Sequence, residues 1–181
     1  MIDDKAAKPI TESYWVIPGR LLAGEYPAHF DESLTHKRVD ALIEAGFDLF
    51  IDLTRLRETV PYADTLLEQA KTYNAEVSHQ RFSIGDMGLP TPEQMNTILD
   101  MIDSNLEAGH KIYLHCWGGI GRTGTTVGCY LVRQGKTGEE ALRQLAAWWR
   151  SVPKSRYHPT SPETDAQMDF ILAWAKHDRK K

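Results

Sequence analysis

The residues best suited to chemistry lie in a single stretch, residues 115–123, which reads HCWGGIGRT. It contains one thiol, Cys116, and one guanidinium, Arg122, separated by five residues of which three are glycines. Glycines allow consecutive backbone N–H groups to turn toward one point, an arrangement that binds phosphate-like anions. Arginine can donate two parallel hydrogen bonds to phosphoryl oxygens. Together these residue types predict a nucleophile inside an oxyanion-binding loop, which covalent phosphoryl transfer requires.

The sequence on either side of this loop predicts how the loop is positioned. Residues 111–114, KIYL, form a short apolar run typical of a buried strand, and residues 123–134 are predicted to be helical. Cys116 would therefore lie at the carboxyl end of a strand, where α/β sheets bind ligands. It would also face the positive end of a helix dipole, which favours a thiolate over a thiol.

Strands and helices are predicted to alternate along most of the chain. Two short strands joined by Pro18-Gly19 are predicted between Trp15 and Ala23, with further strands at residues 48–53, 75–83 and 112–115. Helices are predicted at residues 31–45, 63–73, 91–107, 123–134, 138–150 and 162–176. This alternation is typical of an α/β fold. We expect one domain with a mostly parallel central sheet of about four to five strands, flanked by helices.

Length and composition restrict the domain organisation. The chain has 181 residues, 41% hydrophobic and 25% charged, enough for one globular domain and too few for two large ones. We predict a folded domain at residues 13–177, a flexible segment at residues 1–12 and a solvated basic tail at residues 178–181. The formal net charge of −4 argues against general binding to nucleic acid or membranes. The two cysteines, Cys116 and Cys129, are too few for a disulfide framework.

Residues 115–123 resemble the signature loop of the cysteine-dependent protein phosphatases, the protein-tyrosine and dual-specificity superfamily. That signature is His-Cys, five residues, then Arg followed by Ser or Thr, and this chain matches it fully. The resemblance implies a compact fold of dual-specificity size, with Cys116 as nucleophile and Arg122 on two phosphoryl oxygens. We expect a reaction that uses no metal and no cofactor. The backbone N–H groups that bind phosphate would belong to Trp117, Gly118, Gly119, Ile120, Gly121 and Arg122.

Asp86 is the candidate general acid. It lies between a predicted strand and a predicted helix, in a loop where Gly85 and Gly88 permit movement. The resemblance implies an aspartic acid on a loop one helix and one strand before the signature, where Asp86 stands. It would protonate the leaving oxygen and then activate water against the phosphocysteine. The alternatives are an aspartate that supplies turn chemistry between glycines and a rival acid, Asp52, which could instead bond neighbouring backbone.

Three further side chains have two interpretations each. Thr123 would either hydrogen-bond the cysteine sulfur as it leaves or satisfy a backbone N–H at the helix start. His115 would either lock the loop and favour the thiolate, or be a core histidine bonded to backbone. Gln167 lies in a helix that Ser161 is predicted to cap. It would either orient the hydrolytic water, as the resemblance loosely implies, or be a solvated residue.

Three other residues are assigned by their positions. Trp117 occupies the first variable position of the loop, and we expect it to line the mouth of the cleft. Tyr62 follows a predicted strand; it would either meet substrate beside the loop or be an ordinary solvated residue, and we predict the second. Cys129 lies in the middle of a helix and is predicted to pack in the core.

These features predict a phosphomonoester hydrolase that acts on a phosphorylated protein or peptide, with phosphotyrosine preferred. A phosphoinositide or inositol-phosphate phosphatase is an alternative, although the variable loop positions contain no lysine for a multiply charged substrate. A non-catalytic phosphobinding module is another, although it would usually have lost Cys116, Arg122 or Asp86. The N-terminus shows no apolar signal and a thiolate must stay reduced, so the expected location is the cytoplasm. The sequence leaves the oligomeric state open.

Overall fold

A five-stranded sheet forms the centre of the domain in a computed structural model that describes residues 7–180. The strands are β1 Ser13–Ile17, β2 Leu21–Gly24, β3 Leu49–Asp52, β4 Ser78–Arg81 and β5 Ile112–His115. They lie in the order β1-β2-β5-β3-β4, with β1 antiparallel to β2 and all other neighbours parallel. This arrangement confirms the predicted α/β fold with a mostly parallel sheet.

Helices flank the sheet at positions close to those predicted from the sequence. Every α-helix of the described part of the chain begins and ends within three residues of its prediction. Two short 3₁₀ helices, Pro153–Arg156 and Trp174–Lys176, follow the last two α-helices. The α-helices are α1 Glu32–Glu44, α2 Ala63–Thr72, α3 Pro92–Glu107, α4 Gly121–Arg133, α5 Gly138–Trp149 and α6 Asp165–Ala173.

The central strand β5 points its side chains alternately into two apolar cores. Ile112 and Leu114 belong to the larger core, which includes residues of α3, α4, α5 and α6. Tyr113 belongs to the smaller core, formed with residues of α1 and α2. All four residues of β5 are buried, which explains the continuous apolar run in the sequence. The loop that follows β5 is therefore attached to the central, fully buried strand of the sheet.

The chain packs beyond both predicted domain boundaries. Ile10 is buried in the smaller core. At the other end, the buried Asp178 carboxylate accepts a hydrogen bond from Arg133 Nε at 2.9 Å. Residues 1–6 and Lys181 lie outside the described residues. The predicted flexible segment and the predicted solvated tail therefore each extend too far into the folded domain. A single apolar residue such as Ile10, or a single acid such as Asp178, forms no periodic pattern that would indicate burial from sequence.

Two helices near the site begin differently from the prediction. α4 begins at Gly121, two residues earlier than predicted, so its first turn includes the end of the signature loop. α6 is capped by Thr164 and not by Ser161. The Thr164 hydroxyl accepts from the Gln167 N–H while the Gln167 side chain accepts from the Thr164 N–H, which forms a capping box. The Ser161 hydroxyl donates instead to a carbonyl of the signature loop, at 2.8 Å.

Candidate active site

The signature loop connects β5 to α4 and encloses the Cys116 thiol. Cys116 directly follows β5, and only 3% of its surface is exposed. Gly119 has a φ of +74°, and a Cβ atom there would lie 2.6 Å from the Gly24 carbonyl carbon. A side chain at this position would clash with the end of β2, so the close approach of the two segments requires glycine. Gly121, the first residue of α4, lines the same pocket as Cys116, which brings the free N–H groups of the helix start to the thiol.

Arg122 is buried and held by acceptors from two other loops. Its Nη1 and Nη2 atoms donate to the two carboxylate oxygens of Glu58, at 2.9 and 2.6 Å. Nη1 also donates to the Ile84 carbonyl at 3.0 Å, and Nη2 to the Asp86 carboxylate at 3.0 Å. Burial alone would lower the pKa of Arg122, but its bonds to Glu58 raise the pKa above its usual value. A permanent, oriented cation therefore lies in the same cavity as the thiol.

Glu58 is one of the site residues that the sequence does not predict. It lies in the loop after β3, where Oε2 also accepts from the backbone N–H of Arg55 at 2.9 Å. Burial would raise the pKa of Glu58, but the hydrogen bond from Arg122 lowers the pKa below its usual value. Only the strand order could have indicated Glu58, because Glu58 becomes a neighbour of Arg122 through the adjacency of β3 and β5 in the sheet.

Asp86 lies at the rim of the pocket that Cys116 lines. Its side chain is 65% exposed, and Arg122 is its ion-pair partner. The hydrogen bond that closes the turn around it joins backbone atoms, from Gly88 N to Gly85 O at 2.9 Å. The carboxylate thus faces the arginine while the backbone forms the turn. This placement matches the position expected for an acid, and its catalytic role remains a prediction.

The rival acid, Asp52, is buried and fully committed to hydrogen bonds. Oδ1 accepts from the N–H and hydroxyl of Thr54, at 2.8 and 2.6 Å. Oδ2 accepts from His79 at 3.1 Å and from Arg81 at 2.7 Å. Burial alone would raise the pKa of Asp52, but these hydrogen bonds, led by that of His79, hold the pKa well below its usual range. Asp52 therefore has no proton to donate near neutral pH.

His115 fixes the backbone of the loop from inside the domain. Its Nδ1 lies 3.2 Å from the Cys116 carbonyl, which can only accept, so Nδ1 carries the hydrogen. Nε2 then accepts from the Tyr62 hydroxyl at 2.6 Å. Burial lowers the pKa of His115 to about 4, so the ring is neutral and supports the loop by hydrogen bonding instead of by charge. The prediction that Tyr62 is solvated is wrong, because its hydroxyl completes this buried chain.

Thr123 lies in the first turn of α4 and is fully buried. Within residues 7–180 its hydroxyl has no hydrogen-bond partner. The helix starts two residues before it, so the predicted capping role at the helix start is not formed. A buried hydroxyl without a partner is costly, so we expect it to gain a partner during the reaction, and the Cys116 sulfur is the candidate. That interaction remains a prediction.

Gln167 is buried, so its interpretation as a solvated residue is wrong. Its Oε1 accepts from the backbone N–H groups of Glu163 and Thr164, at 3.0 and 3.2 Å. Its Nε2 donates to the Gly88 carbonyl, in the loop that carries Asp86, at 3.2 Å. The side chain also contacts the start of α4, since a Cβ on Gly121 would approach it to 3.0 Å. Gln167 therefore joins α6, α4 and the Asp86 loop.

The pocket over Cys116 has a volume of about 200 Å³. Trp117 stands at its mouth with 64% of its surface exposed, as expected. Lys154 and His158 line the edge of the pocket, although they lie far from the loop in sequence. The Lys154 ammonium donates to the Gly118 carbonyl at 3.1 Å and pairs with Glu25 at 2.7 Å. Cys129 is buried and burial raises its pKa well above the usual value, which confirms that it packs in the core.

Between residues 7 and 180, no three histidine, cysteine, aspartate or glutamate side chains are placed to hold a metal ion. Over the same range, no helix has the length and apolar character needed to cross a membrane.

Comparison with known proteins identifies the family. The model of a Swiss Army Knife protein family, the DSP-PTPase phosphatase domain, matches residues 11–177. The chain belongs to this phosphatase family. The matched region contains every site residue described above.

Relatives of this DSP-PTPase domain include solved structures and curated sequences. Tk-PTP in its active form is 25% identical, with a TM-score of 0.68 over 91% of this chain and 97% of that one. PTPMT1 in complex with PI(5)P shares the fold at 18% identity, with a TM-score of 0.67 over 91% and 95% of the two chains. An uncharacterized protein of Methanocaldococcus jannaschii is 30% identical over 98 residues, 54% of this chain and 55% of its own. The chain thus spans about half the length of that curated relative.

As a member of the DSP-PTPase family, the chain contains a domain of the cysteine-based phosphatase superfamily. Its fold is shared by proteins with different phosphorylated ligands, so the fold does not select the substrate. The substrate must be argued from the residues that line the DSP-PTPase pocket.

Proposed function

We propose that this protein is a protein-tyrosine phosphatase that works through a cysteinyl-phosphate intermediate. Its pocket would also admit phosphoserine and phosphothreonine, as in a dual-specificity enzyme. One observation carries the proposal: Cys116, Arg122 and Asp86 line a single cavity of about 200 Å³. A nucleophile, a cation for the phosphoryl oxygens and a group that can carry a proton are the three parts that such a reaction needs.

In the first step, the Cys116 thiolate attacks phosphorus in line with the leaving oxygen. The S–P bond forms while the P–O bond to the substrate breaks, and the protonated Asp86 carboxyl gives its proton to the departing oxygen. Arg122 and the backbone N–H groups of residues 117–122 bind the three equatorial oxygens, whose charge is spread in the transition state.

In the second step, a water molecule attacks the phosphocysteine. Asp86, now a carboxylate, accepts a proton from that water as the O–P bond forms. The S–P bond breaks and sulfur leaves as a thiolate, which the unpartnered Thr123 hydroxyl would stabilise by donating a hydrogen bond. Inorganic phosphate is the product and the free enzyme is restored.

The contacts of Arg122 indicate how substrate enters. Glu58 holds the guanidinium from a position only 20% exposed, whereas the Asp86 side chain is 65% exposed. An incoming phosphoryl group would displace the more exposed partner, because that exchange breaks the fewest buried contacts. Asp86 would then move from Arg122 to the leaving oxygen while Glu58 keeps the guanidinium in place.

The rim of the pocket favours an aromatic phosphoester. Trp117 and Met87 line the pocket and are 64% and 55% exposed, so they offer apolar surface to a phenyl ring. The alternative, an inositol-phosphate or phosphoinositide substrate, is supported by Lys154 and His158 at the edge of the same pocket. Lys154 is already paired with Glu25 at 2.7 Å, which reduces the charge available to a second phosphate.

A substrate panel tests the proposal. We expect kcat/KM for a phosphotyrosine peptide to exceed that for phosphoserine and phosphothreonine peptides, inositol phosphates and phosphoinositide vesicles by at least about tenfold, one decade being about 1.4 kcal/mol. Higher efficiency on inositol phosphates would support the alternative substrate. Tight binding of phosphate without turnover of any ester, p-nitrophenyl phosphate included, would indicate a binding module.

Gln167 is expected to position the Asp86 loop through its bond to Gly88. Gln167→Glu keeps an acceptor for the Glu163 and Thr164 N–H groups but loses the donor to the Gly88 carbonyl. We expect kcat/KM to fall about tenfold for an alkyl phosphate, whose leaving group needs an acid, and to change little for an activated aryl ester, since acid catalysis contributes roughly 10²–10⁴.

Asp86→Asn is the reference for this measurement, because it removes the acid itself. Asp86→Asn should also lower kcat/KM more for the alkyl phosphate than for the activated aryl ester, and by a larger factor than Gln167→Glu. If Gln167→Glu lowered turnover of both esters equally, the residue would act on the phosphate-binding loop or the hydrolytic water instead.

A further inference from the structure

Two further cavities lie beside the catalytic pocket and join it around the Trp117 indole. The first, about 210 Å³, shares Trp117, Gly118 and Lys154 with the catalytic pocket. The second, about 370 Å³, shares Trp117, Tyr26 and Ala28 with the first. The three cavities therefore form one continuous depression. We call the part beyond the catalytic pocket the Trp117 groove, defined by Tyr26, Ala28, Phe30, Arg38, Val60 and Trp117.

The floor of the Trp117 groove is fixed relative to the nucleophile. Tyr26 is 4% exposed, and its N–H donates to the Trp117 carbonyl at 2.9 Å. Its ring packs edge-on against Tyr62 and His115, with both centroid distances at 5.2 Å. His115 in turn holds the Cys116 backbone. A ligand in the groove would therefore lie at a defined position relative to the sulfur.

The walls of the groove are large apolar side chains that face solvent. Phe30 is 92% exposed and Trp117 is 64% exposed, and the two line the same cavity. Val60 and Ala28, both half-buried, line the same cavity. Large apolar groups gathered in one groove beside a catalytic pocket indicate a surface that a ligand covers.

The charges and the apolar walls of the groove favour an extended polypeptide. In its middle section, the single carboxylate of Glu25 pairs with both Arg38 at 2.9 Å and Lys154 at 2.7 Å, so one of the two positive charges remains. In the far section, Glu58 lines the cavity but is already bonded to Arg122. The formal net charge of −4 disfavours contact with an anionic bilayer. A polypeptide offers backbone carbonyls to the cations of the middle section and an apolar side chain to the far section.

We propose that the Trp117 groove binds the peptide segment next to the phosphorylated residue, with one apolar side chain of that segment between Phe30 and Trp117. This inference rests on the proposed function, since it assigns the flanking part of the same substrate. An extended chain advances about 3.3 Å per residue, and Trp117 directly follows Cys116, so the apolar residue would stand only a few positions from the phosphotyrosine. The groove then selects among phosphoproteins by the sequence around the phosphorylation site.

The test compares two phosphotyrosine peptides that differ only in having leucine or serine at the flanking positions. We expect wild-type kcat/KM to be at least about tenfold higher for the leucine peptide, the factor that burial of one large apolar side chain supplies. Phe30→Ser should reduce that ratio to near one. Leu67→Ser is the matched control, because Leu67 is also exposed and apolar but lies on α2 outside the groove. It should keep the wild-type ratio.

Binding of the same peptides to a Cys116→Ser variant, followed by tryptophan fluorescence, gives a readout that does not need turnover. Equal affinity for both peptides, or a ratio that survives Phe30→Ser, would overturn the groove assignment. Phe30-dependent hydrolysis of phosphoinositide vesicles without peptide discrimination would also overturn it, in favour of a lipid surface. Failure of the wild type to hydrolyse p-nitrophenyl phosphate would instead reject the proposed function, while the binding ratio would still decide the groove.

Discussion

Replacing Cys116 with serine is expected to lower the turnover of p-nitrophenyl phosphate by on the order of 10⁴-fold or more, the scale seen when a catalytic nucleophile is removed. Serine keeps the size and position of the side chain, but its hydroxyl does not ionise near neutral pH and is a poor leaving group in the second step. The phosphate-binding loop should survive the change, because its shape depends on Gly119 and His115. Steady-state kinetics and the binding of a phosphate analogue, measured on the same preparation, would check both parts.

Cys129→Ala supplies the control for that experiment. Cys129 is the other thiol of the chain, buried in α4, where burial raises its pKa well above the usual value. Its replacement should leave kcat within about twofold while lowering the unfolding temperature, since a small core cavity is created. Wild-type turnover in Cys116→Ser, or loss of activity in Cys129→Ala alone, would contradict the cysteinyl mechanism.

The part of the site that is contiguous in sequence could be predicted from sequence patterns. Strand, loop and helix follow one another within residues 111–134, so apolar runs and glycines suffice to place Cys116 at the end of a strand. The positions of Arg122 and Thr123 at the start of the next helix are predicted from the same stretch of sequence. The start of α4 was predicted two residues too late. Its first turn belongs to the glycine-rich signature loop, and glycines give no sequence signal for the start of a helix.

The contacts between distant segments could not be predicted, because they depend on strand order. Glu58 meets Arg122 only because β3 lies beside β5, and a single sequence does not state which strands are neighbours. Lys154 lies on a 3₁₀ helix after α5 and contacts the Gly118 carbonyl from 36 residues away in sequence, a packing contact that no local pattern indicates. The prediction for Tyr62 was wrong because its polar hydroxyl indicated solvent exposure. In the fold, that hydroxyl donates a hydrogen bond to the buried His115 ring, which allows the side chain to be buried.

Glu58 and Arg122 show how the fold prepares an arginine for catalysis. A bidentate carboxylate fixes the guanidinium plane, so the arginine need not be reoriented when substrate binds. The Ile84 carbonyl adds a third fixed contact at 3.0 Å. The remaining partner is the exposed Asp86 carboxylate, and in the proposed mechanism its exchange for a phosphoryl oxygen would couple substrate binding to the release of the general acid.

Arg122→Lys is expected to lower kcat/KM by about 10³-fold or more, within the range for an arginine that stabilises a phosphoryl transition state. Lysine keeps one positive charge, but its single ammonium cannot bond both Glu58 oxygens and also two phosphoryl oxygens. The loss should appear mainly in kcat, because the arginine gains strength as charge spreads in the transition state. Kinetics on p-nitrophenyl phosphate, with the unfolding temperature measured in parallel, would establish the effect.

Arg133→Lys separates catalysis from the general cost of changing a buried arginine. Arg133 lies on the same helix, its side chain is 1% exposed, and it pairs with Asp178 and Asp100 at 2.8 and 2.7 Å. Lysine there should destabilise the fold by a few kcal/mol, since it leaves buried acceptors poorly satisfied, and should keep kcat near the wild-type value. Arg122→Lys with kcat within tenfold of wild type, or parallel losses of kcat in both variants, would show that the guanidinium of Arg122 does not act on the phosphoryl group.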